Sequence, residues 1–237
     1  MSINILFLAA GKVDFDTKEN GYPLCLTTTN DDQILLERIA NNTKSIDGAE
    51  YYYSLLDEHV EKYHLDRVAE LITPKCHIIR VPNNTAGSAC TALLAASQMN
   101  YTSELLIISV NELVDVEFGE IINNFTKRNL DGATLVFKSV HPRYSYVKIG
   151  KDGFVTESAQ RNPISNNATA GVFWFKNTGD FVNAAERMIM KGASVDSKYY
   201  VAPVFNEMIL NQEKIGVFEL DSNTYKPIKD EKQFRDF

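Results

Sequence analysis

The chain alternates short, nearly continuous apolar runs with segments whose apolar residues recur every three or four positions. INILFLAA (Ile3–Ala10) is the first run, and it stops at Gly11. A run of that length without polar alternation reads as a strand buried on both faces of a parallel sheet. AEYYYSLL, KCHIIRV (Lys75–Val81) and ELLIIS (Glu104–Ser109) repeat the pattern. Helical periodicity fills the intervals. DDQILLERIANN offers Asp31 or Asp32 as a cap and Ile34, Leu35 and Ile39 as an inward face. DEHVEKYHLDRVAELI predicts one amphipathic helix with Val60, Tyr63, Leu65, Val68 and Leu71 inward, stopped by Pro74. PNNTAGSACTALLAASQ begins as a loop and becomes a small-residue helix, VNELVD reads as a polar turn, and EFGEIINNFTKR is a further helix.

Strand–helix alternation of this kind predicts an α/β, Rossmann-like, three-layer α/β/α domain. After Asp131 the pattern shifts to sheet. DGATLVFKSV, YSYVKIG, FVTESA and ATAGVFWFK read as strands, with GKDG as a turn. TGDFVNAAERMIMKG and YYVAPVFNEMILNQ read as helices, and KIGVFEL as a last strand. The central sheet is therefore expected to be mixed but mostly parallel. No repeat, low-complexity tract or linker divides the chain, so residues 1–237 are expected to form a single domain with an elaborated second half.

Composition narrows the setting without changing the fold. Of 237 residues, 44% are hydrophobic and 23% charged, with a formal net charge of −7. No basic stripe marks a duplex nucleic-acid surface, so no nucleic-acid partner is expected. Local positive charge still suffices for a small anion. Cys25, Cys76 and Cys90 are far apart, which suits neither a disulfide framework nor a zinc knuckle. MSINILFLAAGK has no basic region ahead of its apolar run, and no segment nears the roughly 20 apolar residues of a membrane span. A cytoplasmic protein without membrane insertion is expected. Apolar helix faces serve a core or an interface equally well, so a homo-oligomer remains open.

Ligands of open α/β sheets sit beyond the carboxyl ends of the strands. Three loops emerge there. The first offers Gly11 for close approach of backbone to phosphate and Lys12 as a cation; a tight strand exit without a ligand is the plainer alternative. The second, NNTAGSA, sets small residues at a helix start, where backbone N–H groups can receive an anion or a base edge. Close packing of other elements explains the same residues. The third carries Asn111, Glu112 and Asp115 after a buried strand, as magnesium sites often do, although a solvated turn has the same composition. Asp14 and Asp16 form a D-x-D within a charged loop, where solvation explains them. His59, His64, His77 and His141 are scattered and receive no role, and Trp174 is assigned to the core.

Taken together, these loops resemble the sugar-phosphate nucleotidyltransferases. The first strand and Ala9-Ala10-Gly11-Lys12-Val13-Asp14-Phe15 are similar to that family's A-A-G-x-G-x-R, and Tyr22-Pro23-Leu24 to its later P-K. Asn84, Thr85, Ala86, Gly87 and Ser88 match a G-T-A-G-like nucleoside loop. Asn111 falls where the family has the aspartate of N-G-D, and Gln160-Arg161-Asn162-Pro163 on its E-K-x-P, followed by a small-residue strand with Thr169 and Gly171. The resemblance covers essentially the whole chain and looks nearest to short members associated with capsule or surface polysaccharide.

The resemblance implies a GT-A-like fold with a nucleotide-binding half (1–130) and an acceptor-binding half (131–237). It implies transfer of a nucleotidyl group from a nucleoside triphosphate to a sugar phosphate or similar small phosphorylated acceptor, with release of pyrophosphate. Ala9, Ala10, Gly11 and residues 84–88 would hold the nucleotide; Lys148, Gln160, Thr169 and Gly171 the acceptor; Asn111 and Glu112 a magnesium ion. Lys12 and Arg161 would be the catalytic cations, with Arg143 as a further positive candidate. Four family positions depart in one direction: Phe15, Leu24, Asn111 and Gln160 replace charged residues. A second metal aspartate, expected near the C-terminus, has only Asp221 and Asp230 as candidates. The departures keep two other readings open, a nucleotidyltransferase fold that binds without catalysing and a glycosyltransferase using a nucleotide sugar. Asn111-Glu112-Leu113 is a poor D-x-D for the latter.

Overall fold

The computed structural model describes residues 2–11, 23–29, 31–83, 85–221, 223–228 and 232–233. The apolar runs become strands β1 (Ile3–Leu8), β2 (Ala49–Leu56), β3 (His77–Val81) and β4 (Glu104–Ser109). They pair in parallel, in the order β3-β2-β1-β4. Along β1, Ile3, Ile5 and Phe7 enter one core layer and Leu6 and Leu8 the other. Both faces of this strand are covered, which explains why its sequence does not alternate with polar residues.

Helices cover the two faces. α1 (Leu35–Asn41) and α5 (Phe118–Lys127) pack into one layer, and α4 (Ser88–Ala96) and α6 (Thr178–Met190) into the other. β9 (Asn167–Phe175) lies antiparallel to β4 and to β6 (Gly132–Lys138), and β10 (Ile215–Glu219) closes the far edge parallel to β6. A hairpin, β7 (Ser145–Ile149) and β8 (Val155–Gln160), extends from β9. The result is a nine-stranded, mixed, mostly parallel sheet between helices.

Four local expectations are corrected. The segment 57–72 is two helices, α2 (Asp57–Tyr63) and α3 (Leu65–Ile72), because His64 adopts a left-handed conformation at φ 51° and ψ 41°. That break resets the helical phase: Ala69 is fully buried, whereas Leu71 is 83% exposed. Neither Asp31 nor Asp32 caps α1, which starts after Ile34. The chain stays extended that far because Thr28 and Ile34 form a bridge and the Thr29 N–H donates to Gln33. The turn at 110–115 contains strand β5 (Glu112–Val114), paired antiparallel with β11 (Tyr225–Pro227). Last, only Val204–Leu210 of the final predicted helix is helical (α7); Pro203 precedes it and residues 193–203 form a loop. Among the described residues, no helix is long and apolar enough to cross a membrane.

Candidate functional site

The carboxyl ends of β1 to β4 open into one cleft of about 860 Å³. Ala9, Ala10 and Gly11 follow β1; Pro82, Asn83 and Thr85 follow β3; Val110, Asn111 and Glu112 follow β4. The opposite wall is built by the second half of the chain, from Thr169 and Gly171 on β9, Gln160 and Arg161 at the end of β8, and Arg143 in the loop before β7. Residues far apart in sequence thus meet because β9 inserts antiparallel beside β4.

Of the sequence-derived residues, Ala9, Ala10, Gly11, Thr85, Gly87, Ser88, Asn111, Glu112, Gln160, Arg161, Thr169 and Gly171 line this cleft. Lys12 and Asn84, with Asp14, Phe15, Asp16 and Asp230, lie outside the described residues. Two members of the set fall elsewhere. Ala86 is not part of the cleft lining, and its carbonyl accepts from the Tyr199 N–H at 2.8 Å. Lys148 is exposed on β7, paired across the hairpin with Glu157 and outside the lining.

The glycine loop before α4 is shaped by a neighbour as well as by any ligand. Gly87 sits at φ 112°, and a Cβ there would lie 2.4 Å from the Tyr199 carbonyl oxygen. The Ala89 N–H donates to that same oxygen at 3.0 Å, and the Val201 N–H donates to Ser88 Oγ at 3.3 Å. One first-turn N–H of α4 is therefore taken by the 193–203 loop. That loop also brings Lys198 and Tyr200 to the cleft, and Asp196 into an ion pair with Arg161 at 3.0 Å.

On the β4 side, Ser109 donates to Asn111 Oδ1 at 2.5 Å. Glu112 is 6% exposed and accepts the Tyr225 hydroxyl. Burial first, and the adjoining Glu112 charge second, push the Tyr225 phenol well above its ordinary value, so it remains a donor. Gly171, at φ 69°, leaves the space that the Glu112 carboxylate fills. Asp115 does not serve the cleft, because Arg38 holds it at 2.8 Å. Asp221 is exposed, with its carbonyl oxygen accepting from Thr224, and is not part of the lining. Where the P-K resemblance expects lysine, Leu24 is buried in the core beside Cys25.

Magnesium wants six oxygens, commonly one or two carboxylates with water and substrate phosphates. After β4 the described residues offer one carboxylate, Glu112, and one amide, Asn111, both already engaged as acceptors, and no three His, Cys, Asp or Glu side chains among the described residues cluster. This set does not fit a magnesium site by itself, and no chemical step is routed through one below.

His59, Thr91, Lys198 and Tyr200 also line the cleft, and the sequence reading gives none of them a role. For Lys198 a signal exists. Asp196-Ser197 is a turn dipeptide, and Pro203 interrupts the run that reads as a helix.

The fold is the one seen in solved sugar-nucleotide pyrophosphorylases and thymidylyltransferases, a likeness of architecture over the whole chain. The chain is similar to the crystal structure of a nucleoside-diphosphate-sugar pyrophosphorylase from Vibrio cholerae RC9, with TM-score 0.80 and 19% identity over 99% of this chain and 98% of that one. It is similar to UDP-glucose pyrophosphorylase complexed with UDP-glucose, with TM-score 0.73 and 12% identity over 100% and 97% of the two chains. HddC from Yersinia pseudotuberculosis shares the architecture at TM-score 0.67, with 12% identity over 98% and 96%. No protein-family model matches the chain, and no curated protein matches it in sequence.

Proposed function

We propose that this protein transfers a nucleotidyl group from a nucleoside triphosphate to a small phosphorylated acceptor of the sugar-phosphate kind, releasing pyrophosphate. One observation carries the reading: a single cleft gathers Gly11, Gly87 and Ser88 on one wall and Gln160, Arg161, Thr169 and Gly171 on the other. An acceptor phosphate oxygen attacks the α-phosphorus. A new P–O bond forms, the bond to the bridging oxygen of the β-phosphate breaks, and pyrophosphate leaves with that electron pair. The attacking oxygen is already anionic, so the protein needs no strong base. Its work is to bring two anions together, by positioning and by charge.

Arg161 and Lys198 supply charge on the acceptor wall, with Arg143 beside them. Backbone groups of the β1 and β3 loops face them across the cleft. Magnesium, a capsule or surface-polysaccharide product and a cytoplasmic setting accompany this reading as parts of the proposal. Each triphosphate is incubated with magnesium and a panel of sugar 1-phosphates, and pyrophosphate is measured. Release with one pairing supports the reading.

A second reading, a protein that binds these ligands without catalysis, is favoured by the buried Leu24 and by the engagement of Asn111 with Ser109. Ligand-induced thermal stabilisation without pyrophosphate under any pairing selects it.

A further inference from the structure

Three residues other than glycine take left-handed backbone conformations at one edge of the cleft: Arg161 at φ 56°, Asp196 at φ 50° and Ser197 at φ 58°. Asp196 and Ser197 are the central pair of a tight turn. Val195 and Lys198 exchange backbone hydrogen bonds of 2.9 and 3.0 Å around them. Positive φ at both central residues is the type I′ geometry, which asparagine, aspartate and glycine adopt most readily and serine does not. Such conformations persist where the surroundings over-determine them.

What fixes this turn is visible. Its C-terminal side is pinned to the loop before α4 by the bonds of Tyr199 with Ala86 and Ala89. Its tip presents the Asp196 carboxylate to Nη1 of Arg161 at 3.0 Å. The Arg161 backbone N–H is held by the Tyr144 carbonyl at 3.0 Å. Among the described residues, that single Nη1 contact is the whole side-chain engagement of Arg161, so its Nε and Nη2 edge is unused. A guanidinium recognises phosphate best through two parallel N–H donors in a fixed fork.

We propose that Asp196 is a positioning residue. It fixes the Arg161 guanidinium from one side so that the opposite edge faces a phosphate group of the acceptor. This rests on the reading that the cleft binds a phosphorylated acceptor at Arg161. Both side chains are about half exposed or more, at 48% and 66%, so the pair contributes little to folding. Its effect lies in where it holds the charge.

The test uses the full chain and inorganic phosphate as the probe, titrated by calorimetry into wild type, Arg161→Ala, Asp196→Asn and Asp196→Glu. Triphosphate binding is measured in parallel. Arg161→Ala defines the phosphate binding that depends on Arg161. Asp196→Asn is expected to weaken that binding about fivefold or more, Asp196→Glu to restore it to within about twofold, and triphosphate affinity to stay unchanged in both. If Asp196 merely held the loop in place, its loss would also release Tyr199 from the loop before α4, and triphosphate affinity would fall with phosphate affinity. That joint loss overturns the proposal, as does phosphate binding by Asp196→Asn that equals or exceeds wild type. If Arg161→Ala binds phosphate as wild type does, the acceptor reading itself fails, and the positioning role falls with it.

Discussion

Replacing Gly171 by alanine tests the tightest packing in the cleft floor. A Cβ at this position would sit 2.6 Å from Glu112 Oε1, 2.9 Å from its Cδ and 3.0 Å from the Ser109 Cβ. The backbone is at φ 69°, which adds about 1–2 kcal/mol for any residue with a Cβ. Glu112 must also shift, and with it the bond from Tyr225. A hydrogen bond to a charged group contributes about 1.5–3 kcal/mol. The two costs together give about 2.5–5 kcal/mol, or roughly 5–20 °C of melting temperature for a chain this long. Gly153→Ala is the control. It has a similar φ of 83° and nothing within 4 Å, so only the backbone cost applies, roughly 2–8 °C. Melting is followed by circular dichroism for both variants, and again in a Tyr225→Phe background. There Gly171→Ala is expected to cost less, because the bond it disrupts is already gone. Equal losses at Gly171 and Gly153, or an undiminished Gly171 loss in the Tyr225→Phe background, would refute the reasoning.

Other consequences follow from single contacts. Asn206 of α7 clamps strand β8 by accepting from the Ser158 N–H and donating to its carbonyl, both at 2.8 Å. Asn206→Ala strands two backbone groups at about 1–3 kcal/mol each, so urea unfolding is expected to show a loss of roughly 2–6 kcal/mol. Burial pushes the Cys25 thiol up to about 12, from an ordinary 9.0. The folded chain therefore keeps a proton that the unfolded chain releases. The stability contributed is whole below pH 9 and is lost as pH rises through about 12. Cys25→Ala is expected to flatten part of the alkaline decline in urea midpoints. Thiol titration of the native protein at pH 9 is expected to find two reactive groups, the partly exposed Cys76 and Cys90, with Cys25 reacting only after denaturation.

The sheet was legible because its strands are apolar on both faces, a pattern carried by composition alone. β2 and β4 fall on the residues read from sequence, and β1 and β3 within them. What could not be read depended on contacts between distant segments. His64 breaks a helix without glycine or proline to announce it. β5 exists because β11, over a hundred residues later, pairs with it, so Glu112 looked like a turn residue until Tyr225 was placed beside it. Gly87 and Gly171 stood out as small residues suited to a ligand. The structure gives each a second cause, close approach by Tyr199 and by Glu112. Lys148 lies outside the cleft lining, at an exposed position of β7 opposite Glu157 of β8, a placement set by how the hairpin pairs and not visible in the local sequence.

These placements change what the missing charges mean. Judged by the resemblance, Phe15 and Leu24 are lost cations in a site that must hold two anions. In the structure Leu24 is part of the core, in contact with the layer that carries Leu35, Leu36 and Ile39, so a lysine there would forfeit burial as well as add charge. The described cations of the cleft instead come from the second half: Arg143, Arg161 and, on the loop that precedes α7, Lys198. A cation acts through its distance from the developing charge, not through its place in the chain. The proposed reaction therefore calls for positive charge on the acceptor wall and for backbone N–H groups on the nucleotide wall. In that division the 193–203 loop is the common element, since it buttresses the loop before α4 through Tyr199 and reaches Arg161 through Asp196.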